Sequence, residues 1–205
     1  MKFGFLVAPT LFLCLHGQAE PRLKLGDPAP AFHLPGVDGK ALDSKGIKGP
    51  FVVVFLSTQC PYVLGIDPRM VALTRQFEGK VRFIAINSNE SDSPQRREEG
   101  LDGMKAHARK VGYPFPYLKD ESQEVIKAYG AVCTPDFFLF DAQRKLVYRG
   151  RFDASRPGNP HPVTGADLRA ACDALLARKP IARDQKPSIG CNIKWRAGHE
   201  PDWFG

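Results

Sequence analysis

Long apolar runs, dense cysteines and blocks of one charge are all scarce in this chain of 205 residues. Five cysteines are too few for a scaffold stapled by disulfides, and a chain of this size builds a core without one. Basic residues outnumber acidic ones by 29 to 22, for a net charge of +7. They never run longer than two in a row, so no stripe marks a nucleic-acid surface. The histidines at 16, 33, 107, 161 and 199 form no i, i+4 pair, and no cysteine spacing fits zinc. No glycine-rich phosphate loop opens a helix, and no Ser-His-Asp set stands out. Neither a metal nor a cofactor is therefore expected. With 43% hydrophobic and 25% charged residues, the composition is that of a globular domain and not of a disordered chain.

The N-terminus reads as a signal peptide. Lys2 precedes a compact apolar stretch, Phe5 to Leu15, and Gly17 and Ala19 are small residues where a signal peptidase reads them. The stretch is shorter than the roughly 20 residues a membrane span needs, and no later stretch is long enough either. Cleavage after Ala19 would remove Cys14 and send residues 20–205 to a disulfide-permissive compartment, periplasmic or secreted, with no membrane span left.

Strands and helices alternate along the rest. Phe51 to Leu56 (FVVVFL) is continuously apolar, the pattern of a strand buried on both faces. Val81 to Ile86, Phe137 to Phe140 and Lys145 to Tyr148 read as further strands, and Gly36 to Gly39 as a turn between short extended pieces. Helical spacing appears over Met70–Phe77, where Pro68 marks a break or kink. It recurs over Glu98–Val111, with Leu101, Met104 and Ala108 on one side. Glu121–Tyr129 closes at Gly130, and Asp167–Leu176 puts Leu168, Ala171, Cys172, Leu175 and Leu176 on one face. This alternation predicts an α/β layer fold with a central sheet. Residues 20–179 form the domain, the Pro- and Gly-rich stretch from Arg151 to Thr164 reads as a surface insertion, and residues 180–205, with Trp195, Trp203 and Phe204, read as a tail packed on the body.

The chemistry concentrates at the end of the first core strand. Ser57-Thr58-Gln59-Cys60-Pro61-Tyr62 leads from FVVVFL into a helix. A cysteine there meets free amide groups and the positive end of the helix dipole, which favour the thiolate. The C-terminal end of a core strand is also where open α/β sheets place their sites. Thr134-Pro135 stands before the FFLF strand, a position that suits a proline without a ladder N–H. Cys172 falls on the apolar face of its helix and reads as a core thiol.

A reactive cysteine at a helix start and Thr-Pro before a later strand resemble the thioredoxin-like superfamily. Within it the chain is similar to the redoxins grouped as alkyl hydroperoxide reductase and thiol-specific antioxidant, a peroxiredoxin-like family. Three segments carry the likeness: Cys60 to Val63 (CPYV), Tyr129 to Asp141 (YGAVCTPDFFLFD) and Pro187 to Trp195 (PSIGCNIKW). The resemblance implies a thioredoxin-like fold, a mixed central sheet flanked by helices, with a cis Pro135 facing Cys60. It implies a thiol oxidoreductase in which Cys60 attacks a peroxide or a protein or small-molecule disulfide. Ser57, Thr58, Pro61, Thr134 and Pro135 would position the substrate. Ser57 stands where relatives carry the first cysteine of Cys-x-x-Cys, and Val53 where peroxiredoxins carry proline. Resolution would then fall to Cys133, Cys191 or an external thiol reductant. The alternative is a non-catalytic binding module on the same scaffold, with Cys133–Cys191 as a structural disulfide. The export reading has a direct test: N-terminal sequencing of the exported protein should begin at Glu20, and retention of Met1 would overturn it.

Overall fold

A computed structural model describes residues 23–203; the stretch read above as a signal peptide and Phe204 lie outside them. A hairpin of β1 (His33–Pro35) and β2 (Ala41–Asp43) precedes β3 (Phe51–Phe55) and α1 (Pro61–Gln76). Next come β4 (Arg82–Asn87), α2 (Leu101–Val111), β5 (Tyr117–Lys119) and α3 (Glu124–Tyr129). The short β6 (Cys133–Thr134) is followed by β7 (Asp136–Phe140), β8 (Leu146–Gly150), α4 (Ala166–Leu176) and β9 (Cys191–Asn192). The main sheet runs β5-β4-β3-β7-β8, with β3, β4 and β5 parallel and β7 and β8 antiparallel.

The continuous apolar run of β3 has a simple cause: alternate residues enter two different cores. Val52 and Val54 pack with Met70 and Leu73 of α1, Met104 of α2 and Leu168 and Cys172 of α4. Phe51, Val53 and Phe55 pack on the other face with the hairpin, with Ile126 and Tyr129 of α3, and with Ile193 and Trp195 of the tail. Period-two alternation delivers one set to each face. Tyr129 sits at the centre of an aromatic cluster, edge-on to Phe55, Phe138 and Phe140.

Several helical expectations need correction, among them the start of α3, which is Glu124 and not Glu121. Pro68 breaks nothing, and α1 runs unbroken from Pro61 to Gln76. Proline removes one amide from the ladder, but Leu64 and Pro68 lie on the exposed side, where water meets the freed carbonyl. Pro61 opens the same helix at its first position, where a missing N–H costs nothing. The helix expected from Glu98 starts at Leu101, after a 3₁₀ segment over Pro94–Glu99, and Leu101 is exposed at 42%. Leu176, in the last turn of α4, is also exposed, at 38%.

The tail is part of the core. Ile193 is 3% and Trp195 9% exposed, and Trp195 meets Trp203 edge-on. Ile193→Ala should therefore cost roughly 2–5 kcal/mol, as for other buried large-to-small changes. Urea unfolding checks this: the midpoint should fall with the slope unchanged. A midpoint equal to wild type would mean that the tail contributes no core.

Candidate functional site

Leu56 hands the buried β3 to the loop Ser57–Gln59, and Cys60 caps α1 with extended backbone (φ −77°, ψ 119°). The side chain makes no capping hydrogen bond to the helix. The Cys60 thiol instead donates across the site to the Thr134 carbonyl at 3.1 Å. Cys60 is buried, at 2% exposure. The Thr134–Pro135 bond is cis, as the resemblance implied. Thr134 is 2% exposed, and its hydroxyl has no hydrogen-bond partner among the described residues.

Register sets the two further cysteines against different partners. Strand β9 pairs antiparallel with β6, setting Thr134 opposite Cys191 and Cys133 opposite Asn192. Directly opposed residues share a face, whereas neighbours along a strand alternate. Cys191 thus stands opposite Thr134, whose carbonyl accepts from Cys60, and it packs against the apolar cluster that holds Cys60. Partial burial raises the Cys191 thiol to about 11. Cys133 takes the other face, with its sulfur 3.7 Å from the Pro135 carbonyl. Burial, followed by the nearby Asp136, pushes its thiol far above the ordinary range. All four cysteines among the described residues are free thiols, and in the β6–β9 register Cys191 stands opposite Thr134 while Cys133 stands opposite Asn192. Cys172 is fully buried on α4, and burial raises its thiol to about 12.

Gly190 makes the close approach of the two strands possible. A Cβ there would stand 2.0 Å from the Thr134 carbonyl oxygen, so only glycine lets the tail lie against β6. Ser188 reinforces the docking by donating to Asp136 at 2.8 Å. Asp136 is itself buried, and this desolvation raises its carboxyl despite the Arg149 guanidinium 3.6 Å away.

The loop before Cys60 is held by a residue that sequence reasoning missed. Glu99 ends the 3₁₀ segment and is 1% exposed. Its carboxylate accepts from the Ser57 hydroxyl at 2.6 Å, the Thr58 amide at 3.1 Å and the Asn87 side-chain amide at 2.6 Å. Ser57 in turn accepts from the Gln59 amide, and the Thr58 hydroxyl donates to the Glu98 carbonyl. Ser57 and Thr58 thus direct their hydroxyls at Glu99 and Glu98, while Pro61 is exposed on α1. Burial, and after it the charge of Glu99, pushes the Tyr117 phenol far above its ordinary range. Nothing local distinguishes Glu99 from Glu98 beside it; only the return of β4 and the 3₁₀ segment to the loop buries the second.

Glu99→Gln replaces a group that accepts three hydrogen bonds by one that brings donors of its own into the same space. The variant should lose about 1–3 kcal/mol of stability, read as a lower urea midpoint. An unchanged midpoint would mean that the loop does not depend on this carboxylate.

Residues 25–149 match the AhpC/TSA family. A crystal structure of an uncharacterized conserved protein from Geobacillus kaustophilus is 47% identical, with a TM-score of 0.83 over 86% of this chain and 94% of that one. The thiol-disulfide oxidoreductase ResA of Bacillus thuringiensis is 28% identical over 130 residues, 62% of this chain and 70% of that protein. A thioredoxin family protein from Chlorobium tepidum, 24% identical, shares the fold with a TM-score of 0.57 over 74% of this chain and 97% of that one.

Proposed function

The chain belongs to the AhpC/TSA family and is a thiol oxidoreductase of the thioredoxin and redoxin type, and from that premise we propose that it exchanges disulfides through Cys60 and Cys191. The observation that carries this reading is the β6–β9 register, which sets Cys191 opposite Thr134, the residue whose carbonyl accepts from Cys60. Cys60 attacks one sulfur of a substrate disulfide; the S–S bond breaks, and one half leaves as a thiolate that takes up a proton. Cys191 then attacks the Cys60 sulfur and expels the second half, leaving a Cys60–Cys191 disulfide. Two electrons have passed from the pair of thiols to the substrate, and an external dithiol returns them. Cys191 does the work of a vicinal cysteine at position 57, where this chain has serine.

The remaining site residues take supporting roles. Thr134 anchors Cys60 through its carbonyl, and its unpaired hydroxyl is a donor available to sulfur as charge develops. Pro135 shapes the turn that brings Thr134 to Cys60, Pro61 starts the helix, and Ser57 and Thr58 set the loop through Glu99. Cys133 is a packing thiol in this reading. Disulfide exchange is favoured over peroxide reduction because the Ser57 hydroxyl already donates to Glu99 and the relatives named above include thiol-disulfide oxidoreductases. The exported setting read from the N-terminus suits such chemistry.

The test is a single turnover. Reduced protein is mixed with a small disulfide, quenched with an alkylating reagent and examined by mass spectrometry. Wild type should collect the Cys60–Cys191 disulfide, Cys191→Ser a lasting mixed disulfide on Cys60, and Cys60→Ser neither. Because burial raises the Cys191 thiol above its ordinary value, its thiolate fraction grows about tenfold per pH unit through the neutral range. Release of the mixed disulfide should accelerate accordingly from pH 7 to pH 9. If Cys191→Ser clears its adduct as fast as wild type, Cys133 or an outside thiol is the resolving group. If hydrogen peroxide forms the internal disulfide far faster than any disulfide does, the enzyme is a peroxidase.

A further inference from the structure

The tail crosses the site as a strap fixed at both ends. Upstream, the Gln185 side chain joins the Arg149 amide and the Val147 carbonyl on β8, and the Arg151 amide donates to the Lys186 carbonyl. Downstream, Ile193 and Trp195 are buried, the Lys194 amide donates to the Asn89 side chain while its carbonyl accepts from the Glu90 amide, and Arg196 pairs with Asp92 and Glu121. Between these anchors β9 occupies the open edge of β6, and Cys60 beneath it is 2% exposed. An extended segment of another protein pairs with a sheet edge only where that edge is free. Here the edge beside Cys60 is taken by the chain itself.

Beside Pro135 the surface opens. A cavity of about 290 Å³ lies between Tyr62 of α1, Pro135, Ile189 of the strap and the loop from Arg151 to His161. That volume is at the small end of the range for pockets that hold small molecules. Its wall is firmly built: the buried Asp153 carboxylate accepts from the Ser155 amide and hydroxyl and from the Thr164 and Gly165 amides, at 2.6 Å for the last two. Desolvation opposes the charge on Asp153, but these hydrogen bonds outweigh it and hold the carboxyl below its ordinary value.

The ionic groups lining the cavity carry both signs and differ in how they are occupied. Asp153 is occupied by its own loop, and Arg151 is paired with Asp167 at 2.5 Å. The Arg156 guanidinium and the His161 ring also line the cavity, and neither side chain has a hydrogen-bond or ion-pair partner among the described residues. Both residues are exposed, and they line the cavity together with Tyr62, Pro135 and Ile189.

We infer that this cavity is the substrate subsite, and that it takes a low-molecular-weight organic disulfide bearing a carboxylate, in preference to a protein disulfide. The inference rests on the exchange chemistry proposed above and specifies its substrate. The carboxylate meets Arg156 and His161, the carbon chain lies along Tyr62 and Pro135, and the disulfide is delivered past Pro135 to Cys60. Both halves of the substrate leave as free thiols, and the two electrons come from the Cys60 and Cys191 thiols.

A charge series tests the subsite. Reduced protein is mixed in single turnover with three disulfides of like size: dithiodipropionate (anionic), hydroxyethyl disulfide (neutral) and cystamine (cationic), with insulin as the protein disulfide. The expected order is anionic, neutral, cationic, with insulin slowest. In Arg156→Ala the ratio of the anionic to the neutral rate should fall about tenfold, the size of one charge-assisted contact. Arg156→Lys should recover part of it. A flat series in wild type, or a ratio unmoved by Arg156→Ala, would overturn the subsite. Insulin faster than all three would mean that the strap yields to protein substrates. Failure of the underlying reading looks different: all four substrates would then react equally well with Cys60→Ser, or with no form of the protein.

Discussion

The Thr134 carbonyl is the point on which the site closes. It accepts the Cys60 thiol, it belongs to the residue that β9 sets opposite Cys191, and it is the atom that Gly190 approaches too closely for any side chain. Three segments far apart in sequence therefore meet at one oxygen. The helix start supplies a sulfur, the turn at Pro135 supplies the acceptor, and the tail supplies both cover and a second sulfur. Moving any one of them changes the surroundings of the other two. A β-bridge two residues long is weak by itself, so the arrangement depends on anchors outside it, chiefly Ser188 on Asp136 and the buried Ile193 and Trp195.

Much of this was legible in the amino-acid order because the controlling forces were local. The apolar run of β3, the cysteine where that strand gives way to a helix, and the proline before β7 each follow from the next few residues. Gly130 ends α3 in the left-handed region, which glycine enters without strain, so that boundary was readable too. Resemblance supplied the cis peptide and the thioredoxin-like arrangement, which composition and periodicity alone do not reach.

What stayed hidden was tertiary. Strand β5 is three residues long and follows two prolines, too short for a periodic signal, and it exists because β4 offers it a parallel edge. The proposed preference for Cys191 over Cys133 rests on a one-residue register, since sliding β9 by one position would exchange the faces of its two side chains. Glu99 looks like any exposed acid in a stretch of charged residues until the fold returns it to Ser57, 42 positions away. Pro68 misled in the opposite direction: a breaker by its own chemistry, it is harmless where its side of the helix faces water.

The distance between the paired thiols along the chain has a consequence of a different kind. A vicinal pair closes a small ring, and oxidising it constrains the polypeptide little. Cys60 and Cys191 are about 130 residues apart, so their disulfide would tie most of the chain into one loop. In the loop-entropy picture, such a link disfavours the unfolded ensemble by about 5 kcal/mol. Folding and oxidation would then be thermodynamically coupled: the oxidised protein resists denaturation more than the reduced one, and the native fold, by bringing the two cysteines to one site, draws the couple toward the disulfide. Each catalytic cycle would alternate a linear chain with a cyclised one, so that conformational stability itself rises and falls with the passage of two electrons.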